Sequence, residues 1–302
     1  MAVSAALLLG TLFAAPQEDA IFRSEIRLVP LNVTVSDKSG HLVTDLPESA
    51  FKVLENNVAQ PIKVFKREDV PVSMGLIVDN SGSMREKLPA VEAAALALVK
   101  DSNPQDEVFV VNFNDEAYID TCPKGGGSCL TGDMKVMQQA LEKIDARGET
   151  AMRSAMKLSI AELKRSAKRD KKVLLIITDG VDNASPLDLT LANVIREAQQ
   201  NDVLIYAIGL LSEQDKGEAR RAKHDLDQLV ESTGGLAFYP QTVAEVDPIA
   251  HQVAHDIRNQ YTIAYTPLNT TLDGAFRRIR VVVKGPNSPV ARTRQGYFAP
   301  SK

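Results

Sequence analysis

The sequence predicts an α/β protein: a doubly wound, mostly parallel sheet with a flanking all-β sandwich built from the N- and C-terminal segments. Three observations predict it. Between about residues 70 and 257, short apolar runs alternate with helical patterns, as in a parallel sheet covered on both faces. Before and after that region the pattern is period-2 strands separated by turn clusters. Each β segment is too small to be a comfortable domain alone, so together they are expected to form one sandwich of about seven strands.

The elements follow in order. Residues 26–35 form a nearly period-2 run through Ile26, Leu28, Val29, Leu31, Val33 and Val35, and Asp37-Lys38-Ser39-Gly40 is a turn. Residues 42–45, 51–55 and 61–65 are further short strands, with Glu55-Asn56-Asn57 as a tight turn. Residues 72–78 are almost continuously apolar, the mark of a strand buried on both faces. A helix over 87–100 follows, then a strand at 108–113 and its hairpin partner at 117–121 across Asn114-Asp115. Helices are predicted over 134–144 and 151–165, and the central strand over 172–178 contains Val-Leu-Leu-Ile-Ile. The alternation continues with a helix at 187–200, a strand at 203–208, a helix at 218–231, a short strand at 236–239 and a closing helix at 243–257. Strands at 261–266, 277–284 and 291–297 return the chain to β. The division is therefore 1–20 as a signal-like or disordered N-terminus, 21–70 as a β segment, 71–258 as the α/β domain and 259–302 as the second β segment.

Composition narrows the function. The chain has 302 residues, 44% hydrophobic and 25% charged, which excludes a disordered chain. A net charge of -4 provides no global basic field for nucleic acid. With no Trp and 5% aromatics, stacking platforms are disfavoured. Two Cys and four His do not build a disulfide scaffold or a four-ligand zinc site.

The chemistry concentrates at strand ends. Strand 72–78 runs into Asp79-Asn80-Ser81-Gly82-Ser83-Met84, and doubly wound sheets bind ligands at the carboxyl ends of their strands. One carboxylate and two hydroxyls at alternate positions are hard oxygen donors, suited to Mg²⁺ or Mn²⁺. Thr178-Asp179-Gly180 places a second carboxylate at the same edge, and Arg147-Gly148-Glu149-Thr150-Ala151 is a loop entering a helix. The plainer reading is that Asp79, Ser81 and Ser83 cap the next helix and that Asp179-Gly180 is a turn.

At these residues the chain resembles the von Willebrand factor A domain and its metal-ion-dependent adhesion site. The family pattern is Asp-x-Ser-x-Ser, a later Thr and an Asp after a buried strand, met here by Asp79, Ser81 and Ser83, by Thr150 and by Asp179. A narrower resemblance is to a secreted, acidobacterial-type subfamily. Its marks are Phe51-Lys52-Val53-Leu54-Glu55 before the domain and Arg294-Gln295-Gly296-Tyr297 after it. The resemblance implies that Ser81, Ser83 and Thr150 ligate Mg²⁺ or Mn²⁺ and that Asp79 and Asp179 supply charge. A position is left for a carboxylate from a partner. Glu149 departs from the pattern, and its added carboxylate would either tighten metal binding and weaken attraction to an acidic ligand or point to solvent. The function implied is a non-enzymatic, metal-dependent, adhesion-like protein-binding module. The alternatives are a structural scaffold of an envelope assembly, in which the metal adds stability, and a metal-dependent hydrolase. No nucleophile–His–acid set supports the hydrolase.

The first residues resemble an export signal. Residues 2–15 are uncharged and apolar but shorter than the roughly 20 residues of a membrane span. The expected location is the periplasm, the outer envelope or the medium, with no stable span in the mature chain. Export would favour a disulfide between Cys122 and Cys129, whose loop contains three Gly. His251 and His255 lie on the polar side of the last helix and read as solvated, as does the basic run Lys164, Arg165, Lys168, Arg169, Lys171 and Lys172. Asn32, Asn183 and Asn269 fit the glycosylation pattern by chance.

Overall fold

The computed structural model describes residues 28–301 except 68, 102, 144 and 145, so the signal-like stretch at 1–20 lies outside the described residues. The first β segment contains β1 (Val29–Ser36), β2 (Phe51–Glu55), β3 (Val58–Gln60) and β4 (Ile62–Lys66). The α/β region runs β5 (Val72–Asp79), α1 (Leu88–Lys100), β6 (Glu107–Phe113), β7 (Ala117–Ile119), α2 (Met134–Leu141) and α3 (Met152–Ser166). It continues with β8 (Lys171–Thr178), α4 (Leu191–Gln200), β9 (Val203–Gly209), α5 (Lys216–Thr233), β10 (Ala237–Phe238) and α6 (Val246–Arg258). The last segment holds β11 (Tyr261–Tyr265), β12 (Phe276–Val283), β13 (Val290–Arg292) and β14 (Gly296–Phe298).

The six-stranded sheet has the order β10-β9-β8-β5-β6-β7, parallel except for β7. All eight residues of β5 are buried, because helices cover both faces. Leu76 and Val78 point to the layer of α1, α2 and α6, while Ile77 joins Ile160 of α3, Val194 of α4 and Leu226 of α5 on the other side. Strand order reverses at β5, whose neighbours are β8 and β6. The crevice at the carboxyl ends of β5 and β8 is therefore the switch point where such sheets bind ligands.

The two β segments interleave into a sandwich. One sheet has the order β13-β1-β11-β4 and the other β14-β12-β2-β3, so each sheet takes two strands from either end of the chain. The central pairs, β1 with β11 and β2 with β12, join N-terminal to C-terminal strands. Leu31, Val33, Val53, Ile263 and Val281 fill the shared core. Phe51 packs on Tyr261 at 4.7 Å between ring centroids and on Phe65 at 5.2 Å.

Three sequence expectations change. Residues 42–45 make only a bridge from Leu42 to Ser36, whereas 58–60, not expected as a strand, completes a hairpin with β2. Residues 291–297 are not one strand. β13 and β14 lie in different sheets, and the chain crosses between them at Thr293-Arg294-Gln295. There Arg294 donates to the Pro30 carbonyl at 2.8 Å and pairs with Asp202, which turns the chain from one sheet to the other. Lys171 is not solvated: it opens β8 with 7% exposure, and its ammonium donates to the Ile257 carbonyl. Burial pulls its pKa down to about 8. His251 and His255 are exposed as expected, with His251 paired to Asp101.

A buried polar junction docks the sandwich on the α/β domain at the edge opposite the switch point. Tyr206 donates to Asp256 at 2.8 Å, Arg292 to the same carboxylate at 2.6 Å, and Gln260 bridges Tyr206 to Thr34. Asp69 and Arg258, at the two linkers, pair at 2.9 Å, so both linkers leave on one side.

Candidate functional site

The site is assembled at the carboxyl ends of β5 and β8 and on the loop entering α3. Asp79, the last residue of β5, is fully buried. Its Oδ1 accepts from the Ser81 amide at 2.8 Å and its Oδ2 from the Thr178 hydroxyl, both neutral partners. Burial pushes its carboxyl up to about 6, against those hydrogen bonds, which favour the charged form. A buried carboxylate with neutral bonding partners calls for positive charge.

Ser81 and Ser83 do not cap a helix. Ser81 precedes a 3₁₀ turn, Gly82–Met84, without a side-chain cap bond, and the N-cap of α1 is Lys87. Instead the two hydroxyls sit 3.2 Å apart, and Ser83 donates to Asp179 Oδ1 at 2.8 Å. Asp179 follows β8 and is fully buried. The simple capping account of these residues is thereby set aside.

Thr150 reaches the same place through its loop. Its amide donates to Asn183 Oδ1 at 2.8 Å, and its carbonyl accepts from the Asn183 and Ala184 amides. A Cβ added to Gly180 would stand 3.5 Å from Thr150 Oγ1, so Gly180 keeps open the space beside that hydroxyl. Gly148 adopts φ +73°, and a Cβ there would stand 2.2 Å from Asp115 Oδ2. Asp115, in the β6–β7 turn, also accepts from the Glu149 amide at 2.9 Å and so holds the loop from below. Glu149 contributes that amide, while its side chain is exposed.

Sequence reasoning missed Lys87, Asp115 and Asn183. Lys87 is 6% exposed in its side chain, and its ammonium lies 2.7 Å from Asp179 Oδ2 and 3.1 Å from Glu213 on the β9–α5 loop. Burial acts to lower its pKa, but the bonds and charges of Asp179 and Glu213 outweigh this and raise it. Its signal was a basic residue four positions after Ser83 and two after Arg85. Asn183 passed as a chance glycosylation pattern, and its partner Thr150 is 33 residues away.

Beside the cluster a pocket of about 150 Å³ opens over Asn80 and Asn112. Asn112 is held by Asp120 at 2.7 Å and by the Ala140 carbonyl at 2.9 Å. A larger cleft of about 540 Å³ lies between the sandwich and the opposite edge of the sheet, so size alone does not mark the site. Cys122 and Cys129 form a disulfide in the loop after β7.

Fold and site together define a class: a doubly wound α/β domain whose switch-point loops gather hydroxyls and carboxylates. Residues 74–181 match the von Willebrand factor type A domain family. It is similar to calcium-activated chloride channel regulator 1 of Equus caballus, 25% identical over 175 residues, covering 56% of this chain and 17% of that protein. It is also similar to the uncharacterized protein YfbK of Escherichia coli (strain K12), 22% identical, covering 65% of this chain and 34% of that protein. The chain thus spans only 17% and 34% of the length of these two relatives. Among solved structures, a von Willebrand factor type A protein from Catenulispora acidiphila superposes with a TM-score of 0.54 at 13% identity, covering 92% of this chain and 76% of that one. That likeness is one of fold.

Proposed function

We propose that this chain is a metal-ion-dependent protein-binding module that acts in the cell envelope or outside the cell. Ser81, Ser83 and Thr150 would hold a Mg²⁺ or Mn²⁺ ion, with Asp79 and Asp179 supplying charge. The observation that carries the reading is the convergence of three loops. The Ser81 and Ser83 hydroxyls are neighbours, Ser83 is bonded to Asp179, and Gly180 leaves room beside Thr150. An all-oxygen set of hydroxyls and carboxylates fits a hard cation. Asp79, buried with neutral partners, supports the same fit.

Bound there, the ion would act as a Lewis acid that accepts an oxygen ligand from a partner protein. The chain's own residues do the rest. Thr178 and the Ser81 amide orient Asp79, Asn183 and Asp115 hold the loop of Thr150, and the rigid sheet edge presents the group to an incoming carboxylate. The sandwich docks at the opposite edge and leaves this face open. The disulfide accords with an exported protein, and no helix among the described residues is long and apolar enough to cross a membrane.

Isothermal titration with Mn²⁺ tests the reading. Wild type is expected to bind one ion, and Asp79→Ala and Ser81→Ala are each expected to abolish binding. Unchanged affinity in both variants would overturn the assignment. Capture of partners from the native organism with and without Mg²⁺, using Asp79→Ala as control, then tests the protein-binding part.

A further inference from the structure

We infer that Lys87 sets the charge of this site: it leaves the ion-loaded cluster with a net positive charge that draws a carboxylate, at the expense of affinity for the ion itself. The inference rests on the metal reading above and extends it to ligand class. Lys87 stands at the N-cap of α1, and its side chain is 6% exposed. Its ammonium bonds Asp179 Oδ2 at 2.7 Å, while the other oxygen of Asp179 accepts from Ser83 at 2.8 Å. One carboxylate is thus shared between a hydroxyl that faces the ion site and a cation built into the chain.

The consequence follows from charge. Asp79 and Asp179 carry two negative charges at the cluster, which a divalent ion alone would cancel. A neutral site exerts no net Coulomb pull on an acidic partner. With the ammonium of Lys87 included, the loaded site carries a net +1, and one carboxylate brings it to zero. Glu213, the outer partner of Lys87 at 3.1 Å, takes up part of this charge, and its 71% exposure lets water weaken that offset. Asp79, Asp179 and Lys87 are buried, so the charge of Lys87 is poorly screened from the ion and from its ligand. The same ammonium repels the incoming cation, and the two effects have opposite signs.

That opposition provides the test. Full-length wild type, Lys87→Met and Lys87→Arg are titrated with Mn²⁺, and then, loaded with Mn²⁺, with acetate as the carboxylate probe. Lys87→Met is expected to bind Mn²⁺ roughly tenfold tighter and acetate roughly tenfold weaker, while Lys87→Arg stays near wild type on both. A purely structural role would move both affinities down together or neither. Either of those results would overturn the inference. If Lys87→Met does not fold, Lys87→Gln, which keeps a hydrogen-bond donor without the charge, is read by the same two titrations. Mn²⁺ binding in wild type that depends on Asp79, with no opposed shift in the Lys87 variants, overturns this inference and leaves the metal reading standing. No Mn²⁺ binding in any of the proteins overturns both.

Discussion

Replacing Arg277 by Met should unlock the sandwich. Arg277 and Glu55 are each 2% exposed, with the guanidinium 3.5 Å from the carboxylate. Glu55, on β2, also accepts from Tyr265 of β11 at 2.8 Å and Tyr297 of β14 at 2.9 Å. Arg277, on β12, donates to the Asn269 and Thr271 carbonyls at 2.8 and 2.7 Å. One buried acid therefore ties an N-terminal strand to three C-terminal strands in both sheets. Removing the arginine leaves that acid in the core without its cation and hands the two carbonyls, on exposed residues, to water. Loss of one partner from such a pair costs about 3 to 5 kcal/mol. Two tyrosine hydroxyls still bond Glu55, so the lower half of that range is expected. The assay is urea unfolding of wild type, Arg277→Met, Glu55→Gln and the double variant, followed by tyrosine fluorescence. The double variant should lose less than the sum of the singles, by about 1 to 3 kcal/mol. Single losses below about 1 kcal/mol, or strict additivity, would refute the reasoning.

Other outcomes are expected. The folded pKa of Lys171, about 8, lies below its ordinary value of 10.5, so the native state binds fewer protons than the unfolded chain between those values. Stability should therefore rise by up to about 3 kcal/mol from pH 8 to pH 10, and Lys171→Met should flatten that rise in a series of melts. Above pH 10, Tyr265 and Tyr297, both raised by burial and by the hydrogen bond to Glu55, should reverse the trend as the unfolded chain loses their protons first. Reduction of Cys122–Cys129 should cost about 2 to 3 kcal/mol by loop entropy, read as a lower unfolding midpoint in reductant. Gly148→Ala should strain the loop of Thr150 against Asp115, lowering stability by about 1 to 3 kcal/mol and weakening Mn²⁺ binding by calorimetry.

The alternating pattern was legible because burial on both faces leaves a continuous apolar strand, and 72–78 and 172–178 could hardly be anything else. The order of Asp79, Ser81, Ser83, Thr150 and Asp179 was also readable, since each follows or precedes a strongly periodic element. The interleaving of the two β segments followed from their size, as neither could cover an apolar face alone. What the sequence could not decide depends on contacts between distant residues. Lys87 reads as an ordinary surface lysine until folding brings it to Asp179, 92 residues on. Asn183 reads as a chance glycosylation site until it meets Thr150, and Lys171 as part of a solvated basic run until the end of α6 covers it. The strand expected at 291–297 breaks in two because Arg294 finds Pro30 and Asp202, a choice made by the packed sandwich and absent from local propensity. Local periodicity reports which face of an element meets the core, and so it determined the fold class and the edge where the site lies. Hydrogen bonds and charge pairs between residues far apart in sequence carry no such period, and only the tertiary structure decided them.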